Sequence, residues 1–220
     1  MGYLIFTLAK ISPFFSEKLQ LAGDVSNYSD WLDKEFKSPK RFYNRERLLN
    51  HLIKKYLQKG TIVLEFGVAK GYLTEWFLNR DFNKYIDVWH GYDTFEGLPA
   101  AWRNYEIGAF SNQGKVPFIN DARIVWHVGF AEMEIKSLDP QLIRDKRLLV
   151  IFDLDLEAPT KKILNYLTAY IKPGDLIYFD EAFDIGEREV ITKYVSPKYN
   201  VEVIGATPLA ILFKVISIKN

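Results

Sequence analysis

From Thr61 onward, short apolar runs alternate with amphipathic stretches. The runs Thr61–Phe66, Asp87–Tyr92, Arg123–Val128, Arg147–Asp153 and Asp175–Asp180 are rich in β-branched or aromatic residues. Leu148 to Phe152 is apolar without interruption, the pattern of a strand buried on both faces of a parallel sheet. Between the runs, helices are expected over Tyr72–Asn79, Thr160–Ile171 and Glu187–Val195. In the second of these, Ile163, Leu164, Leu167 and Ile171 form one stripe. Residues 44–58 read as a further amphipathic helix, with Leu48, Leu49, Leu52, Ile53 and Tyr56 at helical spacing. Asn44 is placed to cap its start, and Gly60 ends it. The last two runs, Asn200–Gly205 and Leu209–Val215, are joined by Ala206-Thr207-Pro208, which is too short for a crossover helix. They should therefore pair antiparallel. The pattern predicts a doubly wound α/β fold whose sheet has five parallel strands plus an antiparallel C-terminal pair.

Residues 1–43 are irregular in pattern, with Pro13 and Pro39 as breakers. The apolar run at residues 1–9 is too short to span a bilayer, lacks a positive flank before it, and is cut off by Lys10. It reads as a buried or interface segment that suggests a homodimer contact, in a cytoplasmic protein. No repeat or linker interrupts the chain. A single domain, 1–220, is expected, with an N-terminal extension (1–43) and a core (44–220).

Composition narrows the partners. The 48 % hydrophobic and 26 % charged fractions are ordinary for a globular chain. A formal net charge of +1 supplies no field to draw in nucleic acid or an anionic membrane, so neither is an expected partner. The absence of cysteine excludes disulfides, thiolate metal sites and a Cys nucleophile.

Four segments carry candidate chemistry. In the first, Glu65, Gly67 and Gly71 join a strand to a helix. Gly67 permits a tight turn, Gly71 permits close approach of a ligand to the helix start, and Glu65 is a buried acid that needs a partner. In the second, Asp93 ends the second strand, about 20 residues past the glycine turn, where nucleoside-binding α/β folds place an acid for ribose hydroxyls. A turn-capping role for Asp93 is the alternative. The third, Asp153-Leu154-Asp155-Leu156-Glu157, and the fourth, Asp180-Glu181 with Asp184, both follow predicted parallel strands. Neighbouring strands lie ~5 Å apart, so these carboxylates would crowd one edge, and protons or a cation must relieve them. Oxygen-only ligands favour Mg, Ca or Mn over zinc. Helix capping by Asp155 or Thr160 is the alternative for a single member. His90 and His127 sit in strand patterns and read as structural, while Trp102 and Tyr105, after the second glycine turn, are candidates for a substrate pocket.

Taken in order, Glu65-Phe66-Gly67-Val68 with Lys70-Gly71, Tyr92-Asp93-Thr94-Phe95-Glu96-Gly97-Leu98-Pro99, Asp153-Leu154-Asp155-Leu156 with Pro159-Thr160, Lys172-Pro173-Gly174-Asp175 through Asp180, and Gly186-Glu187-Arg188-Glu189 resemble the macrocin O-methyltransferase (TylF-like) family of class I methyltransferases. The likeness spans roughly residues 44 to 195. It implies a Rossmann-like seven-stranded sheet, S-adenosylmethionine as methyl donor, a divalent cation (usually Mg), and a hydroxyl acceptor on a small molecule, typically a sugar. It implies cofactor contacts from Glu65, Gly67, Gly71, Asp93 and Asp153. It also implies a cation held by Asp153, Asp180 and Glu181, and Asp155 as general base. Two positions depart from the family pattern: Glu157 stands where Tyr is usual, and Glu181 where a second Asp is usual.

Two rivals remain to be weighed. A nicotinamide oxidoreductase is disfavoured because the glycine turn lacks the third glycine of the dinucleotide fingerprint. In addition, Pro197 interrupts the only Tyr-x-x-x-Lys, Tyr194 to Lys198. A non-catalytic protein binding the cofactor or a partner on the same scaffold is the second alternative, kept open by Glu157 and Glu181.

Overall fold

The computed structural model describes residues 13–80 and 83–219. The apolar run at residues 1–9 lies outside the described residues. In chain order the elements are α1 (Pro13–Glu35), α2 (Arg45–Lys55), β1 (Thr61–Phe66), α3 (Tyr72–Leu78), β2 (Ile86–Asp93), β3 (Ile124–Val128), α4 (Ala131–Glu134), α5 (Gln141–Arg144), β4 (Arg147–Phe152), α6 (Glu157–Leu167), β5 (Leu176–Phe179), α7 (Ile185–Val190), β6 (Tyr199–Ala206) and β7 (Ile211–Ile218).

The strands form one sheet in the order β3-β2-β1-β4-β5-β7-β6. β1 to β5 run parallel, and β7 is antiparallel to both β5 and β6, as the short final connection requires. Every residue of β1 and β5 is buried, which explains their lack of polar alternation. Helices cover both faces. On one, α2 and α3 bury Leu48, Leu52, Leu73 and Phe77 against the sheet. On the other, α6 and α7 bury Ile163, Leu164, Leu167 and Val190, and α1 adds Tyr28 and Leu32.

Register positions the chemistry. Tyr92, Phe66, Phe152 and Phe179 are cross-strand partners in one row. Their rings stack with centroids 4.9, 5.5 and 5.0 Å apart. The residues that follow this row, Asp93, Gly67, Asp153 and Asp180, therefore emerge side by side at the carboxyl end of the sheet, where ligands bind in open α/β folds.

One segment differs from expectation. Residues 1–43 read as irregular, yet α1 is a helix of 23 residues. Pro13 opens it instead of breaking it, because a proline in the first turn loses no intrahelical hydrogen bond. Among its described side chains, Tyr28 and Leu32 are the buried apolar ones, with Val25 and Trp31 beside them, a stripe too sparse to give a clear helical period. The helix expected over Thr160–Ile171 begins earlier, at Glu157, with Pro159 in its first turn. The one expected over Glu187–Val195 begins at Ile185 and ends in a π-helical turn, Ile191–Val195.

Candidate active site

A cavity of about 710 Å³ opens at the carboxyl end of the sheet, within the range of small-molecule sites. Gly67, Val68, Ala69 and Asp93 line it above β1 and β2, and Asp153, Asp155 and Glu181 above β4 and β5. Trp102, Tyr105, Phe110 and Phe183 form an aromatic wall. Trp102 and Tyr105 stack with centroids 5.9 Å apart, and Tyr105 meets Phe110 at 4.6 Å.

The glycine turn is tied to β2 by Asp93. One oxygen of its carboxylate accepts the N–H groups of Val68 and Ala69, each at 2.7 Å, and the other accepts that of Phe95 at 2.7 Å. Asp93 thus caps the turn and lines the cavity at once. Gly67 has φ +87°, and a Cβ there would stand 1.7 Å from the Asp153 carbonyl oxygen, so β1 and β4 close on each other only over a glycine. Gly71, at φ +76°, begins α3. The neighbour that comes close to it is Pro117, 2.9 Å from a built Cβ. Glu65 does not line the cavity. It is 1 % exposed, and one of its oxygens accepts from the Thr74 hydroxyl and, at 2.7 Å, from the Trp89 indole N–H. Burial pushes its carboxyl up to about 7, against the pull of those two donors. The partner that this buried acid requires is supplied by the protein itself.

At the β4–β5 edge, Asp153, Asp155 and Glu181 each offer an oxygen, and the three oxygens lie within 4.8 Å of one another. Burial, then the charges of its neighbours, raises the carboxyl of Asp153 well above the ordinary range, with Asp180 and Asp155 the largest of those neighbours. Glu181 is raised in the same way, by burial and then by Asp153. Asp155 is pushed up to about 7 by burial and then by Asp180 and Asp184. Its backbone is left-handed, φ +61°, a conformation that Asp tolerates better than most residues. Behind the cluster, Glu187 is 1 % exposed and accepts the Glu181 N–H at 3.2 Å. The second oxygen of Glu187 and one oxygen of Glu181 have no hydrogen-bond partner among the described residues.

Asp180, expected in the cation's ligand set, stands outside this cluster. One of its oxygens accepts from Arg45 at 2.9 Å and the other from the Tyr178 hydroxyl. The same Arg45 nitrogen lies 3.7 Å from Asp153. No Lys or Arg lies within either acidic segment, and the compensating charge arrives from the first residue of α2. Arg103 is a second residue that the sequence did not single out. It lines the cavity, pairs with Asp24 of α1 at 2.6 Å and Asp184 at 3.3 Å, and sits over the Phe183 ring. Glu17, Gln20 and Leu21 of α1 also line the cavity. Trp102 and Tyr105 are where a pocket role requires them. Glu157 is exposed and lies outside the cavity lining. His90 and His127 face each other across β2 and β3 at 3.0 Å, and burial lowers both, His90 to about 4.

A seven-stranded sheet of this order, closed by an antiparallel pair and flanked by helices, is the class I methyltransferase fold. The solved structures similar to this chain include the crystal structure of CalS11, a calicheamicin methyltransferase, at 19 % identity and TM-score 0.52, covering 92 % of this chain and 93 % of that one. They also include the apo structure of CalS11, described as a TDP-rhamnose 3'-O-methyltransferase of calicheamicin biosynthesis, at 22 % identity and TM-score 0.52, covering 92 % and 95 %. At these identities the likeness concerns the fold. No protein-family model and no curated protein sequence matches the chain. Among the described residues, no helix is long and apolar enough to cross a membrane.

Proposed function

We propose that this protein is an S-adenosylmethionine-dependent O-methyltransferase of the macrocin (TylF-like) type, acting on a hydroxyl of a small molecule, a sugar or sugar-containing metabolite, with a divalent cation, Mg, at the carboxylate edge. The observation that carries the reading is one cavity shared by an acid-tethered glycine turn and a three-carboxylate cluster.

The residues fit both groups. Gly67 to Ala69 and Asp93 would hold the nucleoside part of the cofactor, with Asp153 next along the edge. Glu65 and Gly71 act from beneath, Glu65 through Thr74 of α3 and Gly71 as the start of that helix. When bound, S-adenosylmethionine supplies a methyl group already made electrophilic by its sulfonium. For the cation, the fit rests on the orphaned oxygen of buried Glu181 and on an all-oxygen donor set, which suits a hard ion such as Mg. Asp153 and Glu181 would hold it. When bound, it would lower the pKa of an acceptor hydroxyl.

The remaining work belongs to the chain. Asp155, in the cavity beside Asp153 and Glu181, takes the hydroxyl proton as general base. The aromatic wall offers flat apolar faces to a sugar ring, and orientation by such a wall converts an encounter into an aligned attack. The likeness to a sugar 3'-O-methyltransferase supports this acceptor class. The test is conversion of S-adenosylmethionine to S-adenosylhomocysteine across a panel of sugar-containing acceptors, with Mg and in excess chelator. Mg-dependent turnover is expected. Full activity in chelator would remove the cation. Cofactor binding without turnover of any acceptor would favour a non-catalytic scaffold.

A further inference from the structure

Arg45 is held where it is by two independent anchors. Asn44 caps α2 by accepting the Arg47 N–H at 3.0 Å, and the buried side chains of Leu48, Leu49, Leu52 and Ile53 fix the helix to the sheet. Just upstream, the chain pairs with the end of β6: Phe42 N–H donates to the Ala206 carbonyl at 2.7 Å, and Ala206 N–H to that of Lys40 at 2.8 Å. The guanidinium is thereby delivered to the β4–β5 edge from the α2 face. There it engages Asp180 at 2.9 Å and stands 3.7 Å from Asp153. The other Asp180 oxygen is engaged by Tyr178. Glu181, the next residue, places its carboxylate with those of Asp153 and Asp155, and keeps a buried oxygen without a partner among the described residues.

We infer that Arg45 is a positioning residue that holds Asp180 out of the cation's ligand set, so that the cation rests on Asp153 and Glu181, with Asp155 beside it left as the base. The inference rests on the cation reading above. Arg45 acts in two ways. It occupies the Asp180 oxygen that Tyr178 leaves open, and it places a positive charge beside Asp153 that competes with the ion. Both weaken cation binding, which keeps the ion exchangeable and leaves coordination positions for an acceptor hydroxyl.

The probe is Mn(II), titrated into the full-length protein and followed by the electron-spin resonance of the free ion. Arg45→Gln should bind Mn(II) about tenfold more tightly than the parent, the scale of removing a unit charge at this range in a partly solvated site. Arg45→Lys, which keeps the charge, and Asp180→Asn, which removes a carboxylate that is not a ligand, should each stay within about threefold of the parent. Arg45→Gln combined with Asp180→Asn should lose most of the gain, because the released ligand is gone. A double variant as tight as Arg45→Gln alone would reduce Arg45 to a distant charge and overturn the tether. Asp180→Asn alone abolishing Mn(II) binding would make Asp180 a ligand and overturn it too, whether or not the Arg45 variants fold. Failure of the parent and every variant to bind Mn(II) would overturn the cation reading itself, a result distinct from Mn(II) binding that is indifferent to Arg45.

Discussion

Glu65 lies inside β1, 1 % exposed, with its carboxylate facing a Thr hydroxyl and a Trp indole and forming no ion pair among the described residues. Desolvation therefore governs its protonation and pushes the carboxyl from 4.5 to about 7. Below 4.5, the folded and unfolded chains both hold the proton. Between 4.5 and about 7, the unfolded chain releases it and the folded chain keeps it, so stability falls as pH rises. Above 7 the loss is complete and amounts to about 3 kcal/mol. Glu65→Gln keeps the shape and an acceptor oxygen but cannot ionise. Its stability relative to the parent should climb from near parity at pH 4.5 to an advantage of about 3 kcal/mol at pH 8, or about 6–12 °C in melting temperature for a chain of this size. Urea and thermal unfolding at half-unit steps from pH 4.5 to 8 measure it. Parallel curves for the two proteins, or a variant that falls behind as pH rises, would refute the account and mean that the ionised carboxylate is paired.

Three further outcomes concern the cavity. Asp155→Asn should lose turnover by about 100-fold or more while retaining S-adenosylhomocysteine affinity. A variant keeping most of its turnover would remove Asp155 from the reaction. Asp93→Ala should weaken S-adenosylhomocysteine binding by about 1.5–3 kcal/mol in calorimetry, since it removes charged hydrogen bonds that also shape the Val68 and Ala69 turn. Unchanged affinity would place the ribose elsewhere. Gly67→Ala brings a methyl group into the Asp153 carbonyl at positive φ and should cost well over about 1 kcal/mol in thermal unfolding. An unaffected melt would mean that the turn relaxes freely.

What could be read from sequence was local, and what could not was delivered across the fold. β1 runs from Thr61 to Phe66 in both accounts because six consecutive buried residues have no helical or alternating period to confuse them. The final antiparallel pair was legible because three residues cannot span a crossover. That acids would gather beyond β4 and β5 follows from the order of alternation, since strands joined by a single helix commonly lie side by side. α1 was not legible, because its buried stripe among the described side chains is Tyr28 and Leu32, and Glu17, Gln20 and Leu21 face the cavity. Nor was Arg45, which meets Asp180 from 135 positions away in the chain. Arg103, 79 positions from Asp24, was hidden for the same reason.

The distinction has a chemical consequence at the edge. Counted along the chain, Asp153, Asp155, Asp180 and Glu181 are four equivalent carboxylates with no cation nearby. In the fold they divide. Asp180 meets Arg45, while the Glu181 carboxylate joins those of Asp153 and Asp155. The Arg45 pairing of Asp180 thus divides the edge. It separates a neutralised acid from a reactive cluster, and the cluster, not the pair, is what faces the cavity.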